Sequence, residues 1–172
     1  MKRLLVALLL FATACATPAS GEDRPPHIEF GRDICERCGM IIEDERFASG
    51  YTREDGTDAV FDDIGGMLDW AHFTDALDRP MWVHDYDSLE WIKAADATFV
   101  RGGIDTPMGF SIAAFSTHDS AMAFATEFGG AVNDWNDLLT LTRDNSLPWI
   151  PDHDHDHDHE TEPPTDNSND DH

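Results

Sequence analysis

Lysine is almost absent from this chain, and basic side chains of either kind are few. Lys2 and Lys93 are the two lysines, and 35 acidic side chains outnumber 11 basic ones among 172 residues, giving a formal net charge of −24. Such a surface repels nucleic acid and anionic lipid headgroups, because both carry negatively charged phosphates. We therefore expect no nucleic-acid partner.

Catalytic motifs and long apolar runs are missing as well. The sequence has neither a nucleophile elbow nor a glycine-rich phosphate loop, so we expect a protein that is not an enzyme. The apolar run at residues 4–11 is too short to span a bilayer, which needs about 20 apolar residues.

The first 15 residues have the pattern of an export signal. Basic residues precede the apolar run, and Ala12-Thr13-Ala14 stands directly before Cys15. This ending resembles the lipobox of bacterial lipoproteins and predicts that Cys15 is lipidated. Cleavage near Ala14 or Ala16 without a lipid is the alternative. Ala16, in place of an aspartate, favours the outer membrane, so we expect a lipoprotein of the cell envelope that faces the periplasm.

Two polar segments flank the body of the chain. Residues 16–33 contain three prolines and are predicted to be a flexible tether. Residues 149–172 are predicted to be disordered, because alternating Asp and His with Pro, Thr and Asn cannot form a core. Imidazoles beside carboxylates predict a weak accessory metal site in this tail, the alternative being a solubilising tail. Its histidines are His153, His155, His157 and His159.

The body contains an internal repeat. The first unit is predicted to cover residues 34–87. In it, β-prone runs at 47–53 and 58–61 flank an Asp-Gly turn. Asp62 or Asp63 then caps a helix, and residues 81–86 form a closing strand. The second unit, 88–148, repeats this order with strands at 97–101 and 108–115, a helix after Ser116 or Thr117, and a last strand at 131–135. The sequence predicts an α+β fold of two tandem ββαβ units, the alternative being one irregular α+β domain.

A sulfur-bearing motif, Cys35-Glu36-Arg37-Cys38-Gly39-Met40, precedes the first hairpin. In an extended chain, Cys38 and Met40 point to the same side, and Gly39 between them adds no bulk. A thiolate with a thioether selects a soft ion, above all Cu(I), over calcium, magnesium or manganese, whereas zinc prefers thiolate and imidazole. The spacing favours a copper site at Cys38 and Met40.

Other interpretations of the motif stay open. Cys35 and Cys38 are spaced for a disulfide, for a redox pair or for half of a zinc site. Met40 precedes Ile41 and Ile42, so it also fits the start of an apolar strand. The main alternative to a metal carrier is a thiol–disulfide oxidoreductase of the cell envelope, although no helical pattern follows Met40, as such a redox motif would favour.

Met108 is a further candidate ligand. It stands between Pro107 and Gly109, at the mouth of the second hairpin rather than in a helical apolar stripe. A third soft ligand from the second unit would place an ion between the two units. The alternative is a flexible side chain that fills a gap in the core.

Three motifs in this order resemble the accessory lipoprotein family of nitrous oxide reductase, NosL. They are residues 35–40, then Phe61-Asp62-Asp63-Ile64-Gly65, then Thr106-Pro107-Met108-Gly109, and the resemblance extends over residues 35–141. It implies two ββαβ units related to part of organomercurial lyase.

The resemblance also implies a function. Members of the family are periplasmic chaperones that bind Cu(I) and deliver it, with an ABC-type membrane complex, for maturation of the copper centres of nitrous oxide reductase. The family's ligand positions fall on Cys38, Met40 and Met108. Cys35 then assists, guards or pairs with Cys38.

Overall fold

The computed structural model describes residues 23–147, which form two antiparallel sheets and three helices. The signal segment with Cys15 and the Asp/His tail lie outside the described residues. Within residues 23–147, no helix combines the length and the apolarity that crossing a bilayer requires.

The first sheet contains four strands in the order β2-β1-β3-β4, each antiparallel to its neighbours. The strands are β1 (Ser49–Thr52), β2 (Asp58–Phe61), β3 (Met81–His84) and β4 (Trp91–Lys93), and helix α1 (Ile64–Phe73) connects β2 to β3. β4 was not predicted, and it extends the first sheet beyond residue 87 by pairing with β3.

The second sheet has three strands in the order β6-β5-β7, again antiparallel. They are β5 (Thr98–Arg101), β6 (Ile112–Phe115) and β7 (Ala131–Asn133), and helix α2 (His118–Phe128) connects β6 to β7. Each sheet thus contains the three strands of one ββαβ unit, and the helix of that unit connects two of them. This arrangement confirms the predicted α+β fold. Met108 precedes β6 and lies in a turn, so the predicted strand at 108–115 is shorter in the structure.

Helix α3 (Trp135–Arg143) follows β7 and was also not predicted. Asp134 caps it by accepting from the Asp137 amide, and the Asp137 side chain accepts from the Asp134 amide in return. This reciprocal pair is a capping box, which fixes where the helix begins. α3 packs on α1, with Leu138 fully buried between the units.

The second sheet joins the two units through one of its faces. Alternate residues of a strand point to opposite faces, and here Phe99 enters the core shared with α1 and the first sheet, whereas Val100 packs beneath α2. In β6, Ile112 and Ala114 face the shared core, and Ala113 faces α2. The two units therefore share one core, to which α1, the first sheet and this face of the second sheet contribute.

Residues 23–33 lie along the first sheet. Arg24 forms an ion pair with Asp58 at 2.8 Å, and Pro26 is buried against Gly50 of β1. Asp23 pairs with Lys93 of β4 at 2.7 Å. The prediction of a tether over 16–33 thus differs from the structure for residues 23–33, because these contacts attach the segment to the sheet.

Candidate metal centre

The motif at residues 35–40 forms a closed turn. Ile34 and Ile41 form an antiparallel bridge, the Cys35 amide donates to the Met40 carbonyl at 2.8 Å, and the Gly39 amide donates to the Cys35 carbonyl at 2.9 Å. Gly39 has φ +75°, in the left-handed region that favours glycine. The extended chain assumed between Cys38 and Met40 was therefore wrong, and both residues lie on a turn instead.

The two middle side chains of the motif fasten this turn to the first unit. Glu36 forms an ion pair with Arg53 at the end of β1, and its amide donates to the Val60 carbonyl of β2 at 3.0 Å. Arg37 pairs with Asp69 of α1 at 2.6 Å. Partly exposed pairs of this kind stabilise by roughly 0–1 kcal/mol each, so they orient the turn more than they stabilise the fold.

The sulfur atoms of the turn differ in their access to solvent. Cys35 is buried with 1% of its surface exposed, whereas Cys38 is exposed and Met40 is 56% exposed. Ile42, two residues after Met40, is fully buried. The alternative in which Met40 starts a buried apolar strand is therefore wrong. Its side chain is open to an ion or a partner.

The turn brings its two cysteines together with one potential ligand from outside the motif. The side-chain ligand atoms of Cys35, Cys38 and Asp62 lie within 4.8 Å of one another, and both cysteines are free thiols. The Cys38 thiol lies 3.3 Å from Asp62 Oδ2. Asp62 Oδ1 is buried and has no hydrogen-bond partner among the described residues. Buried carboxylate oxygens are normally paired, so this group has unused capacity to bind a cation.

Burial keeps both thiols protonated in the absence of metal. It raises the pKa of Cys35 to about 12, with hydrogen bonds to Asp62 and Cys38 as smaller influences. Burial also raises the pKa of Cys38, although contacts with the Met40 backbone and the Cys35 side chain oppose this. An ion that binds these sulfurs must displace their protons.

Asp63 connects this centre to the second unit. Its Oδ1 caps α1 by accepting from the Gly65 amide at 2.8 Å, and its Oδ2 accepts from the Thr106 hydroxyl at 2.5 Å and from the Met108 amide at 3.1 Å. The turn with Cys38 and the loop with Met108 are therefore attached to consecutive residues, Asp62 and Asp63.

Two glycines at the start of α1 make room for that loop. A Cβ on Gly65 would lie 2.2 Å from Phe110 Cγ, and a Cβ on Gly66 would lie 2.6 Å from Met108 Sδ. Real Cβ atoms do not approach other atoms this closely. Met108 is half-buried, and its thioether packs against Gly66, where a larger side chain would force it to move.

The structure thus places Cys35, Cys38 and Met40 on one turn and Met108 on a separate loop held by the neighbouring aspartate. Asp62 is the potential ligand that sequence reasoning missed, because it was interpreted as a helix cap. The helix cap is Asp63, and a cap needs only one side chain. Asp62 was therefore free for another role, and the Asp-Asp pair was the signal in the sequence that could have shown this. Cys15 and the four tail histidines lie outside the described residues.

Comparisons with known proteins agree with this architecture. A model of the NosL family matches residues 28–141, and no curated protein matches the chain. Among solved structures, the fold is similar to the crystal structure of the copper chaperone NosL from Shewanella denitrificans. The TM-score is 0.58 at 22% identity, covering 67% of this chain and 95% of that chain. The resemblance predicted from three motifs is confirmed, and the chain belongs to the NosL family.

Proposed function

We propose that this protein is a copper chaperone that carries one Cu(I) on Cys38 and Met40, with Met108 as a third ligand, and is not an enzyme. Membership of the NosL family and the likeness to a protein described as a copper chaperone support this. The observation that carries the proposal is that Cys38 and Met40 are both exposed on one closed turn. A thiolate and thioethers form the ligand set that Cu(I) prefers.

The exposure of this turn suits transfer. Cys38 loses its proton when it binds Cu(I), and an incoming sulfur of the acceptor attacks the exposed side of the ion. The acceptor's sulfur and Cys38 then both bind the ion. The bond between Cys38 and the ion breaks, and the Cys38 thiolate takes up a proton again. The Cu(I) ion is never free in solution, and no electron is exchanged. The Cys35 sulfur lies within 4.8 Å of the Cys38 sulfur but is buried, so Cys35 supports the thiolate rather than facing the acceptor.

The place of action and the acceptor are the second part of this proposal. We propose a lipid anchor on Cys15, the periplasmic face of the outer membrane, and delivery toward nitrous oxide reductase through its ABC-type maturation complex. The lipobox-like residues before Cys15 and the family support this proposal. The tail with His153, His155, His157 and His159 would raise the local copper concentration.

Replacing Met40 with leucine tests the copper site. We expect Met40→Leu to bind Cu(I) at least about tenfold more weakly, because leucine keeps the volume but has no lone pair for the ion. The measurement is titration of the reduced, full-length protein with Cu(I) against a competing Cu(I) chelator. Met122→Leu is the matched control, since Met122 is 45% exposed on α2 and lies outside the cluster. Equal affinities for the two variants would refute the role of Met40.

The affinity for Cu(I) is expected to rise with pH. Burial raises the pKa of Cys38, so its thiol is protonated in the folded apo protein at neutral pH, and binding releases that proton. One displaced proton gives about a tenfold gain in affinity per pH unit, which ends above the pKa of the thiol. The same competition assay at pH 6, 7 and 8 measures the slope. A gain of a hundredfold per unit would mean that Cys35 also becomes a thiolate ligand.

A further inference from the structure

The two cysteines of the turn are spaced for a covalent bond. The Gly39 amide donates to the Cys35 carbonyl at 2.9 Å, which closes one helical turn around Cys35 and Cys38. In a helical turn, Cα atoms three residues apart are separated by about 5 Å, within the range of roughly 4.4–6.8 Å that a disulfide requires. Both residues are free thiols, and their sulfur atoms lie within 4.8 Å of each other. Rotation of the side chains therefore brings the sulfurs to bonding distance without backbone movement.

A shared neighbour keeps both sulfurs on the same side of the turn. The Cys38 thiol donates to Asp62 Oδ2 at 3.3 Å, and the Cys35 sulfur also forms hydrogen bonds with Asp62. Asp62 is buried at the end of β2, and the turn is attached to β2 through the Glu36 amide and the Val60 carbonyl. The folded protein thus holds the two thiols as a pair.

The two thiols differ in their access to solvent. Cys38 is exposed, whereas Cys35 has 1% of its surface exposed. A reagent from solution therefore reaches the Cys38 sulfur, and the Cys35 sulfur is within reach of Cys38 alone. In thiol–disulfide exchange, one thiol attacks an external disulfide and a second thiol resolves the mixed disulfide that results. The exposed and the buried cysteine suit these two steps.

We infer that the turn is a site of reversible disulfide modification, at which an external disulfide joins Cys35 to Cys38. The Cys38 thiolate attacks one sulfur of the external disulfide, whose bond breaks and releases the first external thiol. The Cys35 sulfur then attacks the Cys38 sulfur of the mixed disulfide, and the second external thiol leaves. The protein loses two hydrogen atoms and two electrons, which the external disulfide gains as it becomes two thiols. A dithiol reverses the reaction.

This modification decides whether the chain accepts copper, a consequence that rests on the proposed function. A disulfide sulfur carries no negative charge, so the oxidised turn has lost the thiolate of the proposed Cu(I) site. A Cu(I) ion on Cys38 occupies the sulfur that starts the exchange, so the loaded protein resists oxidation. The proposed periplasmic location is an oxidising compartment, in which disulfides form and persist. Reduction of the turn then has to precede copper loading.

Oxidised glutathione is the probe that tests this inference, because it exchanges with thiols and does not require a stronger oxidant. The chain has three cysteines, so Cys15→Ser in the full-length chain leaves the two of the turn as its thiols. The reduced, copper-free protein is incubated with the probe and quenched in acid. Its remaining thiols are alkylated with N-ethylmaleimide before the intact mass is measured. We expect a product that has lost two hydrogen atoms, carries neither glutathione nor maleimide, and is restored by a dithiol.

Two further variants in this background separate the roles of the cysteines. Cys35→Ser is expected to stop at the mixed disulfide, with one glutathione per chain, because no second thiol resolves it. Cys38→Ser is expected to react at least about tenfold more slowly than Cys35→Ser, because its remaining thiol is buried. In urea both thiols are exposed, and the two variants should react at similar rates. That control assigns the difference in rate to the fold.

The outcomes distinguish this inference from the copper function. Persistence of bound glutathione when both cysteines are present would overturn the disulfide and leave Cu(I) binding intact. Equal rates for the two folded variants would overturn the order of attack. One equivalent of Cu(I) is expected to slow the oxidation at least about tenfold, and an unchanged rate with Cu(I) bound would overturn the protection. Formation of the disulfide in a protein that binds no Cu(I) when reduced would refute the copper proposal alone.

Discussion

Replacement of Cys38 by serine is expected to lower the affinity for Cu(I) by about a thousandfold or more, equivalent to about 4 kcal/mol of binding free energy. Cys38 is the exposed thiol of the turn, and the other cysteine is buried beneath it. A serine hydroxyl stays protonated at neutral pH and is a hard oxygen ligand, so it replaces neither the charge nor the softness of the thiolate. In the proposed site, the thioethers of Met40 and Met108 that remain are neutral and would bind the ion weakly.

The buried cysteine of the same motif provides the control for this experiment. Cys35→Ser changes the same atom type three residues away, but Cys35 is 1% exposed and burial raises the pKa of its thiol to about 12, so it is the harder of the two thiols to deprotonate. We expect this variant to lose less than about tenfold in Cu(I) affinity. Urea unfolding of both variants separates binding from stability. A loss in Cys35→Ser as large as that in Cys38→Ser would assign the ion to both thiols.

The repeated ββαβ units were predictable because their signals are local. The Asp-Gly turn before Asp58 and the aspartates before Ile64 each act within a few residues, and β2 and the start of α1 follow them closely. The second helix likewise begins after Thr117, whose hydroxyl accepts from the Ser120 amide. Such hydrogen bonds are set by neighbours in sequence, so a sequence pattern contains them.

Two elements and one turn were missed for different reasons. β4 is three residues long and is defined by pairing with β3, a contact that no local pattern specifies. α3 had a local signal, the Asp134–Asp137 capping box. It was overlooked because residues 131–135 were assigned to a strand by analogy with the closing strand of the first unit. The loop around Met108 was assigned to a strand, but the Met108 amide bonds to Asp63 of the other unit. Long-range hydrogen bonds of this kind override local β-propensity.

The candidate site was predictable only in part for the same physical reason. Cys35, Cys38 and Met40 were identified because they stand together in sequence and their chemistry is evident. Asp62 is 24 residues from Cys38, and the turn must bind to β2, through the Glu36 amide and the Val60 carbonyl, before the carboxylate reaches the thiol. Asp63 is the helix cap, but the sequence allowed either aspartate to be the cap. Asp62 was therefore interpreted as a cap and not as a residue beside the cysteines.

The second large effect is expected at Asp63. Asp63→Ala removes one helix cap and two further hydrogen bonds to the second unit, leaving the donors of Gly65, Thr106 and Met108 unpaired. A lost cap costs about 1 kcal/mol, and each lost bond to a charged group about 1.5–3 kcal/mol. Burial raises the pKa of Asp63 despite these donors, so the desolvation of the carboxylate offsets part of that sum. We expect a net loss of about 3–4 kcal/mol in the free energy of unfolding, measured by urea denaturation.

A second aspartate cap tells apart two roles for Asp63. Asp134 caps α3 in the same way but is exposed and bonds only within its own helix start, so Asp134→Ala is expected to lose about 1 kcal/mol. If Asp63 were only a cap, the two variants would unfold at similar urea concentrations. If Asp63 also joins the units, Asp63→Ala loses more stability and also binds Cu(I) more weakly, because the loop that bears Met108 is no longer held at the start of α1. The copper site would then depend on the contact between the two units as well as on the turn that bears Cys38.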